Sequence, residues 1–210
     1  MPEQSPATAP AVKPVVTLFE QYGAGASYIG QKVAEALGLP FHAQAFSSEA
    51  IESSQAGETE ESATLALVFS VMGGAYGGFG GYDVPATQRQ QYELVMENNR
   101  TVHEFSDEGG VIVGRNGAVI LAERPSTVHV LLTGSVADRI KRAADAAGIS
   151  IDLAAERLKR EDEVRAQMSI TMYGWDPRLP DRYDLVFNTS RISLDRVVDA
   201  ILAAVHVTAD

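Results

Sequence analysis

The 210-residue sequence contains no cysteine, which excludes disulfide bonds, thiolate catalysis and cysteine-ligated zinc or iron–sulfur sites. It has no apolar run near the ~20 residues that a membrane-spanning helix needs, so we expect no membrane association. Basic residues are scarce: 17 Lys and Arg oppose 28 Asp and Glu, giving a formal charge of −11. Because so acidic a surface repels a phosphate backbone, we also expect no nucleic-acid partner.

Histidines are few and scattered, and their spacing does not suggest metal ligands. They are His42, His103, His129 and His206. His129 lies in an apolar run, where a hydrogen-bonded core histidine is the simpler interpretation. We therefore predict no metal-ligating residues in the chain.

The composition suits one α/β domain, because 45% hydrophobic residues in a chain of this length can form a core. Residues 1–14, MPEQSPATAPAVKP, are rich in proline and alanine and have no apolar run. We interpret them as a flexible tail rather than a signal peptide, and residues 15–210 as a single domain. These features predict a cytoplasmic protein.

Short, continuously apolar runs alternate with helical patterns along the chain. Residues 15–19, 111–114 and 128–133 are typical of strands buried on both faces of a parallel sheet. Residues 41–46 and 183–188 are two further predicted strands. Alternating strands and helices predict an α/β fold with a doubly wound parallel sheet and helices on both faces.

Two interior segments leave alternatives open. Residues 73–82, GGAYGGFGGY, hold six glycines in ten positions, which opposes both helix and strand. We interpret this Gly-rich loop as a permissive surface loop, the alternative being a flexible flap over a site. The predicted helix Pro85–Phe105 either turns its apolar positions to the core or forms a homodimer surface.

The turn after the first strand has the composition of an anion-binding loop. Its small residues, within Gln21–Ser27, let backbone N–H groups close around an anion, and the following helix adds its dipole. The alternative is a tight turn that only requires small residues. The pattern GxxxxGK[ST] is not met, because Ala26, Ser27 and Tyr28 stand where its lysine and hydroxyl would fall. The candidate phosphate-binding residues are Gly23, Ala24, Gly25, Ala26, Ser27 and Tyr28.

Arg115 and Asn116 directly follow a buried strand, at the sheet edge where ligands bind in such folds. An arginine there can bind a phosphate in bidentate fashion, and an asparagine can contact a base or a sugar. The alternative is a surface arginine paired with an acidic neighbour.

The most charged segment is RLKREDEVR, residues 157–165. One interpretation is a mobile arginine lid over about 157–177, which would neutralise a transferring phosphoryl group and exclude water. Gly174 and Pro177 would then supply its hinge. The alternative is a solvated, salt-bridged helix face. The candidate catalytic residues are Arg160, Asp162 and Arg165.

Three segments resemble the cytidylate kinase-like family, relatives of the nucleoside monophosphate kinases, over about residues 15–202. They are VTLFEQYGAGASYIGQKVAEALGLPF, GGVIVGRNGAVILAERPSTVHVLLTGSVADRIKRA and YDLVFNTSRISLDRVVDAIL. The resemblance implies a P-loop fold with a five-stranded parallel sheet and a small helical lid. It also implies transfer of the γ-phosphoryl group of ATP to CMP or a similar acceptor, with Mg²⁺.

The same resemblance implies roles for individual residues. The early glycine turn would hold the donor phosphates through backbone N–H groups, and Arg115 and Asn116 would hold the acceptor. Asp162 and Arg165 would close over both, while Thr189 and Arg191 would lie by the adenine.

Two other functions remain open. Because the P-loop lysine is absent, the chain is alternatively a nucleotide-sensing binding protein without catalysis. A weaker alternative is a dinucleotide-binding protein with Glu49 as its ribose acid, although Tyr28 breaks the GxGxxG pattern.

Overall fold

The computed structural model describes residues 12–46, 48–53, 60–72 and 84–208. Most of the predicted tail, the Gly-rich loop 73–82 and the side chain of Glu49 lie outside the described part of the chain.

Strands and helices alternate as predicted. The strands are β1 (Val15–Glu20), β2 (Phe41–His42), β3 (Gly110–Val113), β4 (Thr127–Thr133) and β5 (Leu185–Asn188). The helices are α1 (Ala26–Leu37), α2 (Ser48–Ser53), α3 (Glu60–Met72), α4 (Val84–Asp107), α5 (Gly117–Ile120), α6 (Val136–Ala147), α7 (Ile151–Tyr173) and α8 (Leu194–Thr208).

The second strand is much shorter than predicted. β2 pairs with β3 only at Phe41 and His42, and the predicted strand 41–46 was wrong beyond that point. The chain then turns so that the side chain of Gln44 lies over Gly114 at the end of β3.

The five strands form one parallel sheet in the order β2-β3-β1-β4-β5. The predicted α/β class and doubly wound parallel sheet are confirmed. The strand order contradicts the dinucleotide-binding alternative. In that fold the first strand neighbours the second, whereas here β1 lies between β3 and β4.

Apolar side chains cover both faces of the sheet, because successive strand residues point to opposite sides. On one face Val16 and Leu18 of β1 pack with α1 and α8. On the other, Val15 and Ile112 pack with Val102 of α4 and Leu121 after α5. The prediction of helices on both faces is therefore confirmed.

Serine caps begin the two helices that lie beside the glycine turn. The Ser135 hydroxyl accepts a hydrogen bond from the Asp138 N–H, and the Ser150 hydroxyl accepts one from the Leu153 N–H. Each cap satisfies a backbone donor that has no partner within the helix. α7 ends at Gly174, whose φ of 67° is left-handed. Within the described ranges, no helix is both long and apolar enough to cross a membrane.

His129 of β4 is a hydrogen-bonded core histidine, as the sequence predicted. Its Nδ1 lies 2.7 Å from the Thr17 hydroxyl, and the residue is 8% exposed. Burial lowers the pKa of the His129 imidazole. The folded state therefore binds this proton less readily than the unfolded chain does.

We expect the free energy of unfolding to fall as the pH drops below about 6.5, where the unfolded chain takes up the proton that buried His129 resists. Urea denaturation at about pH 7.5 and about pH 5.5 measures the difference. His129→Gln should reduce this pH dependence, whereas the exposed control His103→Gln should retain it. Equal pH dependence in the two variants would contradict the assignment.

Candidate functional site

The three turns singled out in the sequence lie at one edge of the sheet. In the strand register Leu18 pairs with Val113, Glu20 with Leu132, and Thr133 with Asn188. The carboxyl ends of β3, β1, β4 and β5 therefore meet in that order, so the glycine turn lies between the Arg115 turn and the Asn188–Arg191 loop. This is the edge at which parallel α/β folds bind ligands.

The glycine turn presents backbone donors to an anion, and the chain itself supplies that anion. The N–H groups of Gly25 and Ala26, which we call the amide cradle, donate to the Glu20 carboxylate at 2.9 and 3.0 Å. Gly25 has a φ of 103°, a left-handed conformation that glycine adopts without strain. Two successive N–H groups of the turn therefore point at one carboxylate oxygen.

Gly23 and Tyr28 lie outside the amide cradle and contact neighbouring helices. A Cβ on Gly23 would lie 2.3 Å from the Arg139 carbonyl oxygen, so only glycine fits against α6 there. The exposed Tyr28 donates its hydroxyl to Asp195 of α8 at 2.6 Å. Its side chain points away from the cradle, and its predicted phosphate-binding role has no side-chain contact in support.

Asp162 of α7 joins the glycine turn to α6. One carboxylate oxygen accepts from the Tyr22 N–H at 2.6 Å, and the other accepts from the Arg139 guanidinium at 2.8 Å. Arg139, which is 4% exposed, also donates to the Tyr22 carbonyl. The predicted lid residue Asp162 thus contacts the turn directly.

Arg142 of α6 connects the glycine turn with the loop after β5. Its guanidinium donates to the Gly23 carbonyl at 2.7 Å and to the Thr189 carbonyl at 2.9 Å. Thr189 is buried, whereas Arg191 is exposed. The structure therefore brings Thr189, but not the Arg191 side chain, into contact with groups around the turn.

Carboxylates of the chain bind the guanidiniums of α7. Glu52 of α2 accepts from Arg157 at 2.8 Å and from Arg160 at 2.7 Å. These bonds to Arg157 hold the pKa of the Glu52 carboxyl below its usual range. Arg165 donates to the fully buried Glu161 one turn earlier. The solvated, salt-bridged face is thus wrong for Arg157, which is buried and bonded across helices.

A cavity of about 470 Å³ opens beside the Arg115 turn. Its wall is largely apolar, and its polar groups come from the sheet edge, from α7 and from α4, which contributes the Glu97 carboxylate and the Thr101 hydroxyl among others. The apolar lining includes Phe19, Phe46, Leu94, Met168 and Met172, and the polar lining includes Gln44, Asn98, Arg115, Asn116, Arg165 and Tyr173. Apolar walls with a few placed polar groups are typical of small-molecule sites.

The turn that carries Arg115 is strained. Gly114, Arg115 and Asn116 have φ values of 71°, 53° and 58°, so two non-glycine residues in succession are left-handed. Such residues cost about 1–3 kcal/mol each and concentrate at functional sites. The Asn98 amide donates to the Arg115 carbonyl and to the Tyr173 hydroxyl, which fixes the turn against α4 and α7.

Arg115 differs from Arg139, Arg157, Arg160 and Arg165, each of which pairs with a carboxylate. Burial lowers the pKa of its guanidinium, and no carboxylate forms a salt bridge with it in the described part of the chain. Its Nε, Gln44 Nε2 and Arg165 Nη1 are buried donors without a hydrogen-bond partner among the described residues. All three residues line the cavity.

The described residues include no cluster of three metal-ligating side chains. The carboxylates nearest the cradle are already bonded to protein donors: Glu20 to the cradle, Asp162 to Tyr22 and Arg139, and Glu161 to Arg165. Because these carboxylates are already bonded, they do not fit a magnesium ion held by the protein. We therefore assign no residue as a magnesium ligand.

Sequence reasoning missed Glu20, Gln44, Asn98 and Glu52. For Glu20 and Gln44 a signal was available, because each polar residue ends or directly follows a strand that reaches the ligand-binding edge. Asn98 and Glu52 lie inside helices, and no local pattern separates them from other polar helix residues.

A model of the cytidylate kinase-like family matches residues 15–191. Over 110 residues the chain is 32% identical to a uronate isomerase of Corynebacterium glutamicum, a match that covers 52% of this chain and 21% of that protein. It is 30% identical to a cytidylate kinase of Ignicoccus hospitalis over 109 residues, or 52% of this chain and 63% of that enzyme. These matches span less than two thirds of each relative.

The fold is shared with a solved structure, an uncharacterized protein from Eubacterium ventriosum. That protein superposes with a TM-score of 0.65 over 93% of this chain and 99% of its own length. The two sequences are 17% identical, so the similarity concerns the fold.

Asp162→Asn should lower the free energy of unfolding by about 2–3 kcal/mol, because it leaves the buried Arg139 guanidinium without a counter-charge. Urea denaturation measures the loss. The control Asp145→Asn breaks an exposed pair with Lys141 and should cost less than about 0.5 kcal/mol. Equal losses in the two variants would contradict a structural role for Asp162.

Proposed function

The chain belongs to the cytidylate kinase-like family, and on that premise we propose that it binds nucleotides and transfers the γ-phosphoryl group of ATP to CMP or a related small acceptor. A nucleotide kinase-like function is also consistent with its similarity to curated cytidylate kinases at about 30% identity.

The observation that carries the proposal is the half-buried Arg115 guanidinium, whose Nε is a buried donor without a partner among the described residues. It lines the cavity, burial disfavours its charge, and it has no carboxylate partner among the described residues. A partly desolvated charge of this kind is costly unless an opposite charge pairs with it. An acceptor phosphate in the cavity would supply that charge, and guanidinium groups bind phosphate in bidentate fashion.

The order of the turns along the sheet edge supports distinct places for two substrates. The acceptor would lie on the β2–β3 side, against Arg115, Asn116 and Gln44. The donor would lie on the β4–β5 side, with Thr189 near its base and its phosphates at the amide cradle. Arg165, which lines the cavity from α7, would be close to both.

Phosphoryl transfer depends mainly on positioning and on neutralising the charge of the transferring group. In this chain the cationic groups would be guanidiniums, because no lysine lies within the glycine turn. Arg160 and Arg165 would have to exchange Glu52 and Glu161 for substrate oxygens. Asp162 would keep the turn in place through Tyr22. Mg²⁺ would arrive with the phosphates of ATP, without a protein ligand assigned to it.

A second candidate function is nucleotide binding without catalysis. The observation that favours it is the Glu20 carboxylate in the cradle, together with the absence of a P-loop lysine. Calorimetry with ATP and nucleoside monophosphates, run beside a turnover assay, separates the two functions. Binding without turnover favours the second, and binding of no nucleotide refutes both.

Arg115→Ala should weaken acceptor binding about 10- to 100-fold, because two charge-assisted hydrogen bonds to the phosphate are lost. Calorimetric titration with a panel of nucleoside monophosphates identifies the acceptor and measures the loss. The control Arg196→Ala removes a largely exposed arginine of α8 and should leave the affinity unchanged. Unchanged acceptor affinity in Arg115→Ala would refute the acceptor site.

A further inference from the structure

Glu20 occupies the amide cradle in the manner of a bound anion. It is the last residue of β1, and its side chain reaches over the turn to accept from the N–H groups of Gly25 and Ala26 through one oxygen, Oε2. Ala26 begins α1, so the carboxylate also lies at the positive end of that helix dipole. A phosphate oxygen is stabilised by the same groups and for the same reason.

A carboxylate and a phosphate cannot use these donors together. Each backbone N–H carries one hydrogen, so a phosphate oxygen that binds the cradle must displace Glu20 Oε2. If Glu20 stayed beside the incoming phosphate, two like charges would lie a few ångströms apart with little solvent between them. Occupation of the cradle by Glu20 and by a phosphate is therefore mutually exclusive.

A second carboxylate lies near the occupied cradle. Fully buried Glu161 lies near enough for its charge to interact with that of Glu20. Burial raises the pKa of the Glu161 carboxyl, while Arg165 opposes that shift. Repulsion between the two carboxylates therefore acts while Glu20 holds the cradle, and it favours the departure of Glu20 once a phosphate takes the N–H groups. Once released, Glu20 has to be solvated or paired elsewhere.

We propose that Glu20 is an internal competitor of the donor phosphate: its carboxylate holds the cradle in the free protein and leaves when a phosphate binds. This inference rests on the proposed function for the source of the phosphate. The side chain thereby sets the affinity of the cradle, because only molecules with Glu20 displaced can bind. When the open form is about 1–10% populated, the apparent affinity is about 10- to 100-fold below the intrinsic one.

Pyrophosphate titrated by calorimetry probes the cradle directly, as a stand-in for the terminal phosphates of a donor. Glu20→Ala should bind pyrophosphate about 10- to 100-fold more tightly than the unmodified chain, and Glu20→Gln should show a smaller gain because its amide oxygen is a weaker acceptor. The control Glu35→Gln makes the same charge change at the far, exposed end of α1. It should leave pyrophosphate affinity unchanged.

Equal pyrophosphate affinity in all four proteins, or binding by none of them, would overturn the inference. A gain as large in Glu35→Gln as in Glu20→Ala would also overturn it, because net charge alone would then explain the effect.

Phosphoryl transfer from Mg·ATP to the nucleoside monophosphate panel, assayed on the same proteins, separates this inference from the proposed function. Tighter pyrophosphate binding without any transfer supports the competitor role and counts against the kinase. Transfer with unchanged pyrophosphate affinity supports the kinase and refutes the competitor.

One readout requires no variant, and therefore does not depend on the folding of any substituted protein. In the unmodified chain, the carboxyl carbon resonance of Glu20 should shift as pyrophosphate saturates the protein, together with the amide resonances of Gly25 and Ala26. Amide shifts without a change at the Glu20 carboxyl would overturn the proposal.

Discussion

The carboxylate of Asp162 holds together the part of the molecule on which the site depends. Through one oxygen it binds the Tyr22 N–H, and through the other it binds the buried guanidinium of Arg139. The turn after β1 is thereby fixed to the consecutive helices α6 and α7, which lie far from it in the sequence. The glycine turn keeps its amides at the sheet edge because Asp162 of α7 and Arg139 of α6 hydrogen-bond to its backbone at Tyr22.

The same pairing principle extends around the edge of the sheet. Glu52 binds Arg157 and Arg160, Glu161 binds Arg165, and Glu20 binds the amide cradle. An acidic chain thus neutralises several groups around this edge with its own carboxylates. The half-buried Arg115 lies beside the cavity without such a partner in the described residues.

The sequence predicted those features that depend on local pattern. Continuous apolar runs identified the buried strands, and the glycine turn, Arg115 and Asn116 followed from their positions directly after strands. The sequence did not predict features that depend on contacts between distant segments. Glu52 meets Arg157 across 105 positions, and the side chain of Gln44 lies over the distant Gly114. The direction of the Glu20 side chain is likewise a property of the folded turn, and no periodicity reveals it.

A crystal structure of the chain with CMP and a non-hydrolysable ATP analogue would test the central claim most directly, namely that Arg115 pairs with the phosphate of a small acceptor. We predict that an acceptor phosphate oxygen lies about 3 Å from the Arg115 guanidinium, within the cavity formed by α4, α7 and the β3 turn. A structure in which the acceptor lies elsewhere, and a carboxylate of the chain pairs with Arg115, would contradict the claim.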